Sequence, residues 1–302
     1  MPRFDDMFAN VFKEPTEHTT HRRKFGLRHD HPTTDEDEST AVSLSSHADA
    51  DHMARTVARE LVQLISGLQA SGGTVTRDGF VRVVLTGGTA GIEVCRQLAE
   101  LDSAARSTAE SFPMADAIDW SRVYIFFGDE RFVPEGHPDR NDEQARQALL
   151  DHVAIPPENI MRYPAQPEGQ QADGPALDAA AREYETLINR HAPDGFDIHL
   201  LGMGPEGHIN SLFPNTDELL HASGSVVAVR RCPKPPAERV SLTISAVNRS
   251  RRVWLLVAGA AKREAAGHVL DGDNGAQWPA ALATGTLDTV LWVDRDADPT
   301  AE

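Results

Sequence analysis

His208 stands in GMGPEGHINSLFPNT, directly after Gly207 and two residues after Glu206. A carboxylate so close in sequence can orient an imidazole, and a neutral imidazole serves as a general base near pH 7. The chain has 13 histidines, so residue type alone leaves His208 open between a base and an ordinary hydrogen-bonded side chain. TGGTAG (86–91) sets Gly87, Gly88 and Thr89 ahead of a predicted helix N-terminus. Small residues there let backbone N–H groups approach an anion, which suits a phosphate and equally suits a tight strand-to-helix turn. GDERFVPEGHPDRN (128–141) carries Asp129, Arg131 and Asn141. Asp129 and Arg131 can form a structural ion pair, or Arg131 can meet a phosphate or a developing oxyanion. Arg239, which opens RVSLTI after the proline-rich CPKPPAE, and Lys262, which begins a helix after VWLLVAGAA, are two more cations suited to an anionic substrate.

Other chemistries are argued against. Gly202, Gly204 and Gly207 match G-x-G-x-x-G, the pattern of a dinucleotide site. Yet Pro205 and Pro214 oppose a helix directly after them, and Arg230 and Arg231 stand near where an acidic residue would take the ribose. No G-x-S-x-G elbow surrounds Ser211, so a serine nucleophile is not expected. Cys95 and Cys232 form no C-x-x-C and no zinc spacing, so no zinc site is expected from them.

The elements that must position these residues follow from hydrophobic periodicity. Met53, Val57, Leu61, Leu64, Ile65 and Leu68 predict an amphipathic helix over 49–69, ended by Gly72 and Gly73. VRVVL, RVYIFF, DIHLL, SVVAV, RVSLTI, VWLLVA and VLWV predict strands, and helices are predicted over 91–101, 140–151, 176–191 and 260–270. Strands that alternate with helices, several apolar throughout, predict a doubly wound, mainly parallel α/β sheet with helices on both faces. In such a sheet ligands bind beyond the carboxyl ends of the strands, where the three glycine-containing segments fall. No internal linker divides residues 41–302, which are expected to form one catalytic domain. Residues 1–40 carry His18, His21, His29 and His31, a basic cluster and the acidic run DEDE with few apolar residues. They are expected to be a disordered tail rather than a dedicated metal tract.

Charge narrows the partners. With 29 basic against 46 acidic side chains and a net charge of −17, neither nucleic acid nor an anionic membrane surface is expected. The apolar run 253–261 is too short to span a bilayer. The N-terminus lacks a secretory pattern, so a cytoplasmic monomer or small homo-oligomer is expected.

Taken together, TGGT (86–89), FFGDERFVP (126–134), HPDRN (137–141) and LLGMGPEGHINSLFP (200–214), followed by RVSLT (239–243) and the Lys262 helix, resemble the 6-phosphogluconolactonase family. The resemblance covers roughly 41–302 in the family's order. Glu206 replaces the usual Asp before Gly-His, and Ile209–Asn210 stand where Thr-Ala is common. Gly-His-Ile is also similar to the related glucosamine-6-phosphate deaminases, which are the alternative reading. Those enzymes continue with Ala-Phe-Asn-Glu-Pro rather than Asn-Ser-Leu-Phe-Pro.

The resemblance implies hydrolysis of 6-phospho-D-glucono-1,5-lactone to 6-phosphogluconate in the oxidative pentose phosphate pathway, without a cofactor. It implies that Gly87, Gly88, Thr89, Arg239 and Lys262 hold the phosphate, with Asn141 part of the binding site. His208, oriented by Glu206, would activate water. Arg131 would stabilise the oxyanion or meet the phosphate, and Asp129 would position Arg131 or His208.

Overall fold

Alternate residues of one strand show how the layers are built. Along β8 (Arg252–Val257), Val253, Leu255 and Val257 join one buried apolar cluster, while Trp254 and Leu256 join another. A strand whose two faces both meet apolar cores must be covered on both sides. The computed structural model, which describes residues 41–109, 117–167, 169 and 174–301, shows that arrangement. The expected tail, residues 1–40, lies outside the described residues.

Among the described residues, six strands form a wholly parallel sheet: β1 (Val42–His47), β2 (Val81–Leu85), β3 (Val123–Phe127), β5 (Ile198–Gly202), β8 and β9 (Asp288–Asp294), in the order β1-β9-β8-β5-β2-β3. After β2 the chain moves outward to β3, and after β5 it moves the opposite way to β8. The switch point of the winding therefore lies between β2 and β5. There the segments that follow two neighbouring strands diverge and leave a crevice. A hydrogen bond from Gly202 N to Thr86 Oγ1 (3.0 Å) ties the carboxyl ends of β2 and β5 at that point.

The long helices obey the predicted periodicities. Helix α1 (Ala50–Ser71) buries Met53, Val57, Leu61, Ile65 and Leu68. Asp49 caps its start by accepting from His52 N (2.7 Å), and Gly72 ends it in the left-handed conformation (φ 67°). Helix α2 (Gly88–Ala109) begins inside the glycine loop, so its unpaired N-terminal N–H groups face the crevice. Helices α3 (Gly174–His191) and α4 (Arg263–Asp271) confirm the two later helical segments. No helix among the described residues is long and apolar enough to cross a membrane.

The structure departs from the sequence expectation in the segments after β3 and β5. SVVAV and RVSLTI do not join the parallel sheet. They form β6 (Val226–Val229) and β7 (Arg239–Leu242), which pair antiparallel with each other and with β4 (Asp129–Arg131) in a separate three-stranded sheet. β4 is not among the strands predicted from sequence, and its three charged residues carry no alternating apolar signal. Its register sets Arg131 opposite Arg239 and Asp129 opposite Ser241. The small sheet thus brings cations more than 100 residues apart to one wall of the crevice.

Candidate active site

The crevice at the switch point is a polar cleft of about 140 Å³. Its floor is the 86–91 loop, in which Gly87 lies directly against the Asn141 side chain. Gly87, Gly88, Thr89, Asp129, Arg131 and Asn141 line it. His208, Arg239 and Lys262 do so as well. Of the predicted site residues Glu206 alone stands behind the wall, and it reaches the cleft through His208.

The loop after β5 holds that pair by a local accident of shape. A Cβ at Gly204 would fall 2.0 Å from His208 Nδ1 and 2.4 Å from Glu206 Oε2, so only glycine lets both side chains fold over this backbone. Gly204 N donates to His208 O and Gly207 N to Gly204 O, both at 3.0 Å, which closes the turn. His208 Nδ1 then lies 3.3 Å from Glu206 Oε2, with the imidazole side chain 17% exposed. Phe213 stacks on the imidazole at 4.3 Å and 14°. A stacked ring on one side and a carboxylate at Nδ1 leave Nε2 as the nitrogen available for a proton from the cleft.

A residue that sequence reasoning passed over completes this corner. Lys234, in the CPKPPAE approach to β7, places Nζ 2.8 Å from Glu206 Oε1 and 3.5 Å from His208 Nδ1. Its ammonium also sits 5.6 Å from the centre of the Phe213 ring. Burial lowers the pKa of His208 below its ordinary 6.5, and Lys234 lowers it further, while Glu206 and Asp129 oppose. The imidazole is therefore neutral at pH 7, the form a general base requires. Burial alone would raise the Glu206 carboxyl, but hydrogen bonds led by that from Lys234 bring it to about 2. Lysine within a proline-rich turn is the one sequence signal that could have marked Lys234, and it carried no spacing rule.

On the opposite wall Asp129 is the hub. Its carboxylate accepts from Ser211 Oγ (2.6 Å) and Asn141 Nδ2 (3.0 Å), and stands 4.0 Å from the Arg239 guanidinium. The Arg131 guanidinium donates to Asn141 Oδ1. Asp129 thus reaches Arg131 through Asn141, and it acts on His208 only as a nearby charge. Ser211, already discounted as a nucleophile, is bonded to this carboxylate instead. Behind them Glu130 accepts from Arg131 N (2.9 Å), Asn141 N (2.7 Å) and Asp142 N (3.0 Å), which fixes the backbone that carries Arg131 and Asn141.

The remaining cations sit above the loop. Arg239 donates Nε to Pro236 O (3.1 Å) and Nη2 to Lys234 O (3.0 Å) and Pro235 O (3.2 Å), so its head is locked in place. Lys262 is half-buried, and burial together with Lys234 lowers its pKa, with Asp294 and Glu206 opposing. No group of three or more His, Cys, Asp or Glu among the described residues is placed to hold a metal ion. The site as built can bind a dianion over a helix N-terminus, place a base beside it and stabilise negative charge opposite that base.

Comparison with known proteins points the same way. The family described as glucosamine-6-phosphate isomerases/6-phosphogluconolactonase matches residues 48–292. The 6-phosphogluconolactonase of Mycobacterium leprae is 48% identical over 221 residues, which cover 71% of this chain and 83% of that protein. The 6-phosphogluconolactonase of Mycobacterium tuberculosis is 41% identical over 260 residues, covering 84% and 96%. The crystal structure of 6-phosphogluconolactonase from Thermotoga maritima superposes with a TM-score of 0.67 at 25% identity, over 84% of this chain and 99% of that one.

Proposed function

This chain belongs to the glucosamine-6-phosphate isomerase/6-phosphogluconolactonase family, and we propose that it is a 6-phosphogluconolactonase in which His208 is the general base. It hydrolyses 6-phospho-D-glucono-1,5-lactone to 6-phosphogluconate, the second step of the oxidative pentose phosphate pathway. The observation that carries the mechanism is the His208–Glu206 pair, 3.3 Å apart, with His208 lining the polar cleft and Glu206 behind it.

The substrate's phosphate rests on the N–H groups at the start of α2 and meets Arg239 and Lys262. Its carbonyl carbon then faces His208. Glu206 keeps the proton on Nδ1, so Nε2 removes a proton from water as the water oxygen bonds to the carbonyl carbon. The carbonyl oxygen becomes an oxyanion, and Arg131, held by Asn141, stabilises it. Collapse re-forms the carbonyl and breaks the bond to the ring oxygen. His208 returns its proton to that oxygen, and the acid product ionises.

The test is a coupled assay on lactone generated in place, read against its spontaneous hydrolysis, with ammonia release from glucosamine 6-phosphate measured in parallel. The lactonase reading expects acceleration of the first and none of the second. Ammonia at enzymic rates with no effect on the lactone would replace it with the deaminase reading.

A further inference from the structure

One buried group in the cleft takes no part in the steps above. Asn210 is 8% exposed and lines the cleft, and neither its Oδ1 nor its Nδ2 has a hydrogen-bond partner among the described residues. A buried amide left unpaired at both ends is costly, so its persistence points to a partner that arrives from outside. The backbone is shaped to present it. Asn210 has φ 48°, a conformation that asparagine adopts more readily than most residues, and Gly128 makes room for it. A Cβ at Gly128 would lie 2.2 Å from Asn210 Oδ1. The flanking residues are fixed: Ser211 bonds Asp129, and Ile209 is fully buried.

We propose that Asn210 is a specificity-determining residue that reads the ring hydroxyls of the sugar. The inference deepens the lactonase reading and rests on it for the identity of the sugar. The argument is one of chemical matching. The anionic parts of the substrate, phosphate and oxyanion, need donors and positive charge, which Arg131, Arg239 and Lys262 supply. An amide offered to an anion would satisfy Nδ2 and leave Oδ1 buried, unpaired and facing negative charge. A hydroxyl both donates and accepts, so one or two neighbouring ring hydroxyls satisfy both ends of the amide. The ring of the lactone carries such hydroxyls between the carbonyl carbon and the phosphate-bearing arm. A site built around hydrogen bonds to a hydroxyl rejects the analogue that lacks it, because the protein group is then left unpaired.

The experiment is a cycle between residue and substrate. Asn210→Gly removes the amide and tolerates the positive φ, and Asn210→Asp keeps its shape while removing the donor. Each is assayed with 6-phosphogluconolactone and with its 2-deoxy, 3-deoxy and 4-deoxy counterparts. Asn210→Gly should lower kcat/KM for the parent lactone about 10- to 100-fold, the range for one or two hydrogen bonds left unmade. For at least one deoxy lactone, already poor with the unaltered enzyme, the same substitution should change little. Asn210→Asp should lose discrimination at the same position. An equal loss on all four lactones, or no loss on the parent, overturns the proposal. Calorimetric binding of 6-phosphogluconate and its matching deoxy acid gives the same cycle without turnover. Should the unaltered protein fail to accelerate the lactone, the lactonase reading falls, while a hydroxyl-dependent loss of binding in Asn210→Gly still upholds the role of the amide and its absence overturns it.

Discussion

Lys234 lies 26 residues beyond His208 in sequence, yet its Nζ comes to 3.5 Å of the imidazole Nδ1. An ammonium so near a ring that must gain a proton makes the protonated form costlier, which adds to the effect of burial. The sign follows directly. Protonation of His208 abolishes the base, so kcat/KM should fall as pH drops through a midpoint below 6.5, the ordinary value for histidine. Lys234→Met removes the neighbouring charge and should move that midpoint upward, because burial alone then opposes the imidazolium and Glu206 favours it. A midpoint that stays put in Lys234→Met, read from a pH profile of kcat/KM, would show that the ammonium does not tune the base.

His208→Ala should lower kcat at least about a hundredfold, the scale of a lost general base, with a smaller change in KM. Glu206→Gln tests the orienting role separately. It keeps the size of the side chain and removes the negative charge that favours imidazolium, so the acid midpoint should move downward, opposite to Lys234→Met. Opposite shifts from two residues on the same histidine are hard to obtain from misfolding. Near-normal turnover in folded His208→Ala would remove the histidine from the chemistry.

Much of this site is legible in the residues themselves, and the limits of that legibility are physical. The parallel strands announce themselves because a strand covered on both faces is mostly apolar, as β2 is apart from Arg82 and β8 apart from Arg252. The glycine loop and the His208 segment follow such strands, and this placement alone marks them as site material. β4 is silent for the opposite reason. Its three residues, Asp129, Glu130 and Arg131, are charged, and burial is repaid by specific partners rather than by periodicity. The pairing of β4 with β7, which aligns Arg131 with Arg239, is a long-range contact that no local pattern encodes. Lys234 is hidden for the same reason, since its role depends on where a proline-rich turn crosses His208.

Glu130 shows how much of the wall rests on one buried carboxylate. It accepts three backbone N–H groups, from Arg131, Asn141 and Asp142, and stands 4.0 Å from Arg140. Glu130→Ala would leave these donors unpaired in the interior and the Arg140 charge less compensated. Each unpaired buried donor costs about 1–3 kcal/mol, so the unfolding free energy should drop by at least about 3 kcal/mol. Urea denaturation measures it directly. A loss below about 1 kcal/mol would mean that the 129–142 segment finds other partners.

Chelators should leave the activity intact, since every role in the proposed mechanism is filled by a side chain or a backbone N–H. The measurement is turnover after exhaustive treatment with a strong chelator, followed by metal add-back. Activity lost and then restored by a metal would require a different route to the attacking water.

The division of labour among the three cations can be separated by the substrate's own phosphate. Arg131 sits on the β4 wall, bonded to Asn141, and in the proposed mechanism it meets the oxyanion. Lys262 stands just before α4, and partial burial leaves its ammonium short of compensating charge, so a dianion beside it is strongly favoured. Lys262→Met should therefore lower kcat/KM for the phosphorylated lactone about 10- to 100-fold, the range for a lost charge-assisted hydrogen bond, and leave the slow hydrolysis of unphosphorylated gluconolactone unchanged. Arg131→Met should slow both substrates by similar factors, because an oxyanion forms in each. If Lys262→Met slows both equally, or Arg131→Met slows only the phosphorylated lactone, the two assignments must be exchanged.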